Sequence, residues 1–280
     1  MKKLFFTFAL LVLIMQSRAQ SFQGIIKWSF TMTITDPKMK AQMEDAQKKM
    51  NDPANQAKMK EMEAKMNDPQ FKAMMDSNPQ LKAQMESAMK MMQSGDMSAM
   101  MPKGMIVKIK DSNTLMQMEG GMMANMEILY LKDKNQSYKI DRKDKTYSVL
   151  PNNTEQQQQS KQNADVKVTK TSETAKILGY TCTKYTVDYT SEGHTLHQIL
   201  WSTTEIKDWD MKSMANQRMS SNQRIYFDKI DGVPLKVEMY MPQGNMVMEV
   251  KEINKQSLPA SDFTIPSDFK EVALGFGGKY

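Results

Sequence analysis

Between Ile26 and Ile34 an apolar residue stands at every second position. Ile26, Trp28, Phe30, Met32 and Ile34 alternate with Lys27, Ser29, Thr31 and Thr33, the period of a strand with one buried and one wetter face. The pattern predicts a strand over 22–35. From 36 to 101 the period changes from two to that of a helix. Met39, Met43, Ala46 and Met50 share one face, as do Leu81, Met85, Met89 and Met92, with Lys, Gln and Glu on the others. The segment also repeats. Asp36-Pro37, Asp52-Pro53 and Asp68-Pro69 recur every 16 residues, followed by Asn78-Pro79. Asp or Asn before Pro marks a helix start, because the side-chain oxygen takes free N–H groups and proline fits the first turn. Four short helices are predicted, near 37–50, 53–66, 69–76 and 79–93.

After Gly104 the chain returns to strands. Short alternating runs are expected at 104–110, 114–120, 126–132, 137–142 and 145–150, separated by polar turns, and again at 166–176, 179–190, 194–203, 235–241 and 246–253. Residues 151–165 form a polar, glutamine-rich loop without an apolar face. Residues 204–221 fit one helix carrying Trp209 and Met214, and the tail from Leu258 to Pro266 reads as irregular, anchored by Phe263 and Ile265. The fold class is therefore mainly β with a helical insertion. It is a curled antiparallel sheet, a half-barrel of about ten strands, with the Met-rich helices of 36–101 covering its concave face. Residues 20–280 make one domain.

The N-terminus carries an address. Lys2 and Lys3 precede an apolar run from Leu4 to Met15, and Ser17 and Ala19 are the small residues of a cleavage site. These are the marks of a signal peptide over 1–19, and the run is shorter than the roughly 20 residues of a spanning helix. The mature chain is expected to be exported, periplasmic or secreted, with no transmembrane span and, lacking a cysteine at the cleavage site, no lipid anchor. Losing Lys2, Lys3 and Arg18 takes 38 basic residues to 35 against 32 acidic ones, so the net charge drops from +6 to +3. That balance gives no reason to expect a nucleic-acid partner. The lone cysteine, Cys182, has no internal disulfide partner and reads as a buried small hydrophobe.

The extreme number in the composition is 31 methionines. Three Met-x-Met pairs, Met116/Met118, Met239/Met241 and Met246/Met248, each point to one side of their own strand. Thioethers suit Cu(I), but methionine is also a flexible hydrophobe that forms adaptable apolar surfaces. Core filler, ligand surface and copper site all remain open at this point. Catalytic signals are absent: there is no Gly-x-Ser-x-Gly, no phosphate-cradling glycine loop and no Cys-x-x-Cys. His194 and His197 are three apart on an expected strand and so face opposite sides. No enzyme, cofactor, catalytic residue or metal ligand is expected.

Several stretches recur in a known order: Glu173-Thr-Ala-Lys-Ile-Leu-Gly-Tyr-Thr-Cys-Thr-Lys-Tyr185, Trp201-Ser-Thr-Thr-Glu205, Gly232-Val-Pro-Leu235 and Phe263-Thr-Ile-Pro-Ser-Asp-Phe269. Over roughly 100–270 the chain resembles an uncharacterised family of exported envelope proteins of Bacteroidetes, a domain of unknown function related in fold to the periplasmic carrier of outer-membrane lipoproteins. The resemblance implies a half-open barrel holding apolar ligands under a helical lid. The expected function is non-enzymatic binding of a lipid or acyl chain, with an envelope protein as a further partner. The alternatives are a Met-rich protein that binds copper or scavenges oxidants, and a structural module whose cavity is filled by its own helices. Candidate apolar ligand contacts are Trp28, Phe30 and Met32 of the first strand, Met85, Met89 and Met92 of the insertion, and the strand pair Met116 and Met118.

Overall fold

The computed structural model describes residues 21–66, 68–69, 71–72, 101–121, 123–124, 126–151, 166–191, 194–209 and 228–274. β1 (Gly24–Ile34) leads into helices α1 (Pro37–Asn51) and α2 (Pro53–Met66). A first meander follows: β2 (Gly104–Lys110), β3 (Asn113–Glu119), β4 (Glu127–Leu131), β5 (Gln136–Asp141) and β6 (Thr146–Val149). A second runs β7 (Val166–Ile177), β8 (Tyr180–Ser191), β9 (His194–Thr203), β10 (Val233–Met241) and β11 (Gly244–Lys255). A 3₁₀ turn (Ala260–Phe263) and the two-residue β12 (Lys270–Glu271) complete the chain.

All twelve strands form one sheet in the order β12-β6-β5-β4-β3-β2-β1-β11-β10-β9-β8-β7. Among the described residues β12 and β7 are its edges, and they do not pair with each other, so the sheet is not closed there. The count exceeds the ten or so expected; β12, for example, pairs in parallel with β6 and is too short to show a period. Hairpin connections explain most of the order. β7 and β8 turn on Leu178 and Gly179, both at positive φ (50° and 83°), the backbone of a two-residue turn that follows strand twist. β1 is the exception. It pairs with β2 on one side and with β11 on the other, and so joins the two meanders.

Directly opposed residues share a face, as do alternate residues along a strand. On the face of Ile26 and Trp28, a core forms with Val107, Ile109, Leu235 and Val250, capped by Phe22, Ile206 and Trp209. A second core on that face, at the β7–β9 end, holds Tyr185, Val187, Leu200 and Ile230. The first meander buries its other face. Leu115, Leu129, Tyr138 and Ile140 lie under the tail residues Leu258 and Phe263, with Ile265 and Phe269 packed beside them. The tail anchors expected from sequence, Phe263 and Ile265, are both in this cluster.

The Asp-Pro helix starts are built as expected. Asp36 Oδ1 accepts from the Met39 N–H at 2.8 Å, Asp52 Oδ1 from Ala54 at 2.8 Å and Asp68 Oδ1 from Phe71 at 3.3 Å. On α1, Met39, Met43 and Ala46 are half-buried while most of its other described side chains are exposed. α1 and α2 contribute no residue to any of the three cores. The expected helices at 79–93 and most of 69–76 lie outside the described residues, as do nearly all of the polar loop 151–165 and the whole of 1–19. The helix expected over 204–221 is corrected over its described part: 204–209 is irregular. There the main chain bonds outward, with the Phe22 N–H donating to the Asp208 carbonyl at 2.7 Å. Trp209 stacks on Phe22 with ring centres 5.4 Å apart. Covering the end of the sheet outweighs helix formation in this segment.

Candidate functional site

The three Met-x-Met pairs on strands, Met116/Met118, Met239/Met241 and Met246/Met248, lie on the face of the sheet that carries Trp28. The strand register places them. Across β1, β11 and β10, Met32 stands opposite Met246, and Met246 opposite Met239. In the next row Phe30 stands opposite Met248, and Met248 opposite Val237. Across β1, β2 and β3, Trp28 stands opposite Met105, and Met105 opposite Met118. Met116 and Met241 share the face by alternation. Eight methionines from five strands therefore occupy one side of the sheet's centre. Seven of them are half-buried and Met32 is 41% exposed.

The two cores bound this patch. Trp28, Val250 and Leu235 close it toward the start of β1, and Leu200 and Val187 close it toward β8. The third limit is set by the insertion. β1–β2 pairing ends at Ser29 and Gly104. The chain leaves the sheet just beyond Met32, into α1 and α2, and returns at Lys103, whose carbonyl accepts from the Phe30 N–H at 2.8 Å. Gly104 is needed there, because a Cβ on it would lie 2.3 Å from the Trp28 carbonyl oxygen. On β1, β10 and β11 the opposite face carries ion pairs. Lys27 pairs with Glu252 at 2.7 Å and Lys236 with Glu238 at 2.9 Å, while Trp201 Nε1 donates to Glu238 at 3.0 Å. One side of β1, β10 and β11 is thus charged and the other apolar.

One polar group interrupts the apolar face. Gln198 on β9 lies opposite Met239 and is 2% exposed. Its Nε2 donates to the Tyr189 hydroxyl at 3.0 Å, and its Oε1 has no partner.

The expected contact residues separate on this surface. Trp28 is a core residue, 6% exposed, that forms the floor beside the patch. Phe30 and Met116 are half-buried against that core. Met32 and Met118 are in the patch, and Met85, Met89 and Met92 lie outside the described residues. Sequence reasoning did not place Met105, Met239, Met241, Met246, Met248 or Gln198 in the site. The Met-x-Met spacing was the signal for four of them, but only the register brings the pairs to one face.

Among the described residues, the reactive groups do not gather into a second site. Cys182 is fully buried in the first core, and burial, with some help from Glu205, pushes its thiol up to about 11, so it stays protonated and unreactive. His197 Nδ1 meets Asp188 Oδ1 at 2.6 Å. No group of three or more His, Cys, Asp or Glu side chains fit for a metal occurs among the described residues. An open cleft of about 370 Å³ at the other end of β1 is lined by polar residues, among them Ser21, Gln23, Asp208 and Lys255. Asp208 and Lys255 are ion-paired there at 2.8 Å.

The recurring stretches noted in the sequence tie turns together. Glu205 Oε1 accepts from the Thr181 N–H at 3.0 Å, and the Thr181 hydroxyl together with this N–H draws its carboxyl below the usual carboxylate range. The Tyr185 hydroxyl donates to Asp231 Oδ2 at 3.1 Å, and the Ser202 hydroxyl to the Asp231 carbonyl at 2.6 Å. Asp231 immediately precedes Gly232, which takes φ 79°. These residues hold β8, β9 and the turn into β10 in register, so their role in the described structure is architectural.

Comparison with known proteins gives one family. Residues 88–269 match the family model described as "Domain of unknown function (DUF4412)". No curated protein matches the chain. Among solved structures, the lipoprotein LppX of Mycobacterium tuberculosis is similar at 9% identity, over 58% of this chain and 82% of that one, with a TM-score of 0.33. LprF of Mycobacterium bovis is similar at 12% identity, over 62% and 85%, with a TM-score of 0.28. Both likenesses are slight.

Proposed function

We propose that this chain, which belongs to the DUF4412 family, is a non-enzymatic binder of an apolar ligand such as a lipid or acyl chain. The ligand lies on the methionine-lined face of the open sheet, and the helical insertion folds over it as a lid. The observation that carries the reading is the convergence of Met32, Met105, Met118, Met239, Met246 and Met248 on one face, half-open and bounded by two closed cores. A half-open apolar surface opposite the ion pairs of β1, β10 and β11 fits a binding site. Unbranched thioether side chains suit it to ligands of variable shape. Covering roughly 300 Å² of such surface is worth about 7 kcal/mol before the cost of association.

The insertion suits the lid role by its attachment points. It departs beyond Met32 and returns beside Met105, both at the rim of the patch. Residues 1–19 act as a cleaved signal, so the binder works outside the cytoplasm as one unit, residues 20–280. Among the described residues no helix is long and apolar enough to cross a membrane.

Native mass spectrometry of the purified protein tests the reading, together with titration of the neutral fluorophore 1-N-phenylnaphthylamine. A retained lipid mass, or saturable fluorescence enhancement that is lost when Met239 and Met246 are changed to Lys, supports it. Absence of both the retained mass and the enhancement in wild-type protein overturns it.

A further inference from the structure

The row that begins at Met32 ends in an unsatisfied polar atom. Read across four adjacent strands it runs Met32, Met246, Met239, Gln198. At about 4.8 Å per strand spacing the row is about 14 Å long, enough for an extended medium-length acyl chain. Its last member is a primary amide enclosed by apolar neighbours. Val187, directly opposite on β8, is fully buried, and so is Leu200, two residues beyond Gln198 on β9.

Buried polar atoms in folded proteins nearly always have a partner, and leaving one unpaired costs about 1–3 kcal/mol. Oε1 of Gln198 has none, while its Nε2 is held by Tyr189 at 3.0 Å. That bond fixes the amide and presents the oxygen as a pure acceptor. We infer that the ligand of the methionine face is amphipathic, carrying a hydroxyl or amide N–H at one end that donates to Gln198 Oε1. The inference rests on the binding role proposed above and adds the ligand's chemical class. Met239 is the neighbour through which the donor reaches the oxygen. Its three rotatable bonds let it swing aside without moving the strand. In apolar surroundings the resulting hydrogen bond is stronger than in water, so a single donor sets both the orientation and the selectivity of an otherwise permissive surface.

The test compares two probes with the same number of heavy atoms, 1-decanol and methyl nonyl ether, as competitors of 1-N-phenylnaphthylamine on the full chain. Both accept hydrogen bonds and only the alcohol donates one. Wild-type protein is expected to bind decanol about fivefold more tightly, the equivalent of about 1 kcal/mol for one hydrogen bond. Gln198→Met keeps the side-chain length and should bind both probes equally. Tyr189→Phe removes the bond that fixes the amide and should weaken the preference without changing the binding of methyl nonyl ether. Equal binding of the two probes by wild type overturns the inference and leaves the apolar-binding reading standing; the oxygen is then paired by a buried water. A preference that survives in Gln198→Met overturns the assignment to that residue. Failure of wild type to bind the fluorophore or either probe overturns this inference together with the binding reading beneath it.

Discussion

Met246 stands directly opposite Met32 across the β11–β1 ladder. One strand belongs to the last hairpin and the other is the first strand of the fold, so the apolar face is assembled from the two ends of the chain. Met32 is 41% exposed and Met246 half-buried, so both can be changed without opening a core.

Changing Met32 and Met246 to Lys should lower 1-N-phenylnaphthylamine affinity at least tenfold. Half-open surface positions tolerate such changes within about 0.5 kcal/mol each, so the melting temperature should stay nearly constant. Paired binding and thermal-melt measurements check this. A large loss of stability would show that these methionines are core.

The copper alternative separates cleanly from the lipid reading. Replacing Met32, Met239 and Met246 with Leu should cost under about 1.5 kcal/mol per site and narrow the range of ligands accepted, since Leu is stiffer. A Cu(I) competition titration should show no tight binding by either form. Tight binding by wild type that disappears in the triple variant would replace the lipid reading with the copper one.

The helix caps should report locally. Asp36→Ala and Asp52→Ala each remove a 2.8 Å side-chain bond to a free N–H, worth about 1 kcal/mol of helix stability. Because α1 and α2 supply no core residue, hydrogen exchange over 37–66 should accelerate while the global melting transition moves little. Equal loss in both would mean that the helices and sheet melt together.

Gly104→Ala should be costly for its size. The new Cβ would meet the Trp28 carbonyl oxygen at 2.3 Å, forcing β1 and β2 apart at the rim of the patch. Crowding of this kind costs about 1–3 kcal/mol, read as a lower denaturation midpoint. Full wild-type stability would show that the ladder relaxes freely there.

Glu205 predicts a pH dependence. Its bonds from Thr181 lower its folded-state value below the ordinary 4.5, so the contribution is present above that value and lost as pH falls through the folded one. Glu205→Gln should therefore be less stable than wild type at neutral pH, with the difference shrinking as pH drops below 4.5. A gap that stays constant from pH 7 to pH 3 would assign the effect to packing rather than charge.

Local pattern made most elements legible. The alternation from Ile26 to Ile34 and the Asp-Pro caps at 36 and 52 both appear in the structure where the sequence put them. The alternation separates two sides of β1 but does not reveal what covers either. Trp28 and Met32 share a face, yet one is buried and the other open, because Val250 and the Phe22–Trp209 stack reach only the first. The face shared by the Met-x-Met pairs was illegible for a related reason, since it depends on β1 meeting β11, a pairing no short-range signal encodes. At 206–209, the three-residue spacing of Ile206 and Trp209 suits a helix equally well, and a tertiary contact with Phe22 decides otherwise.

The position of β1 between β2 and β11 also governs the order in which the fold can be completed. A strand near residue 30 must wait for one near residue 250, and the loop to be closed is nearly the whole chain. Each meander can form from neighbours as it is synthesised, but the seam between them carries the largest loop-closure entropy and raises the contact order, which slows folding. Until that seam closes, each half exposes a bare strand edge beside apolar side chains, the arrangement most prone to pairing with another chain. The step that assembles the methionine face is thus also the slow step, and the one at which a partly made chain is most exposed to aggregation.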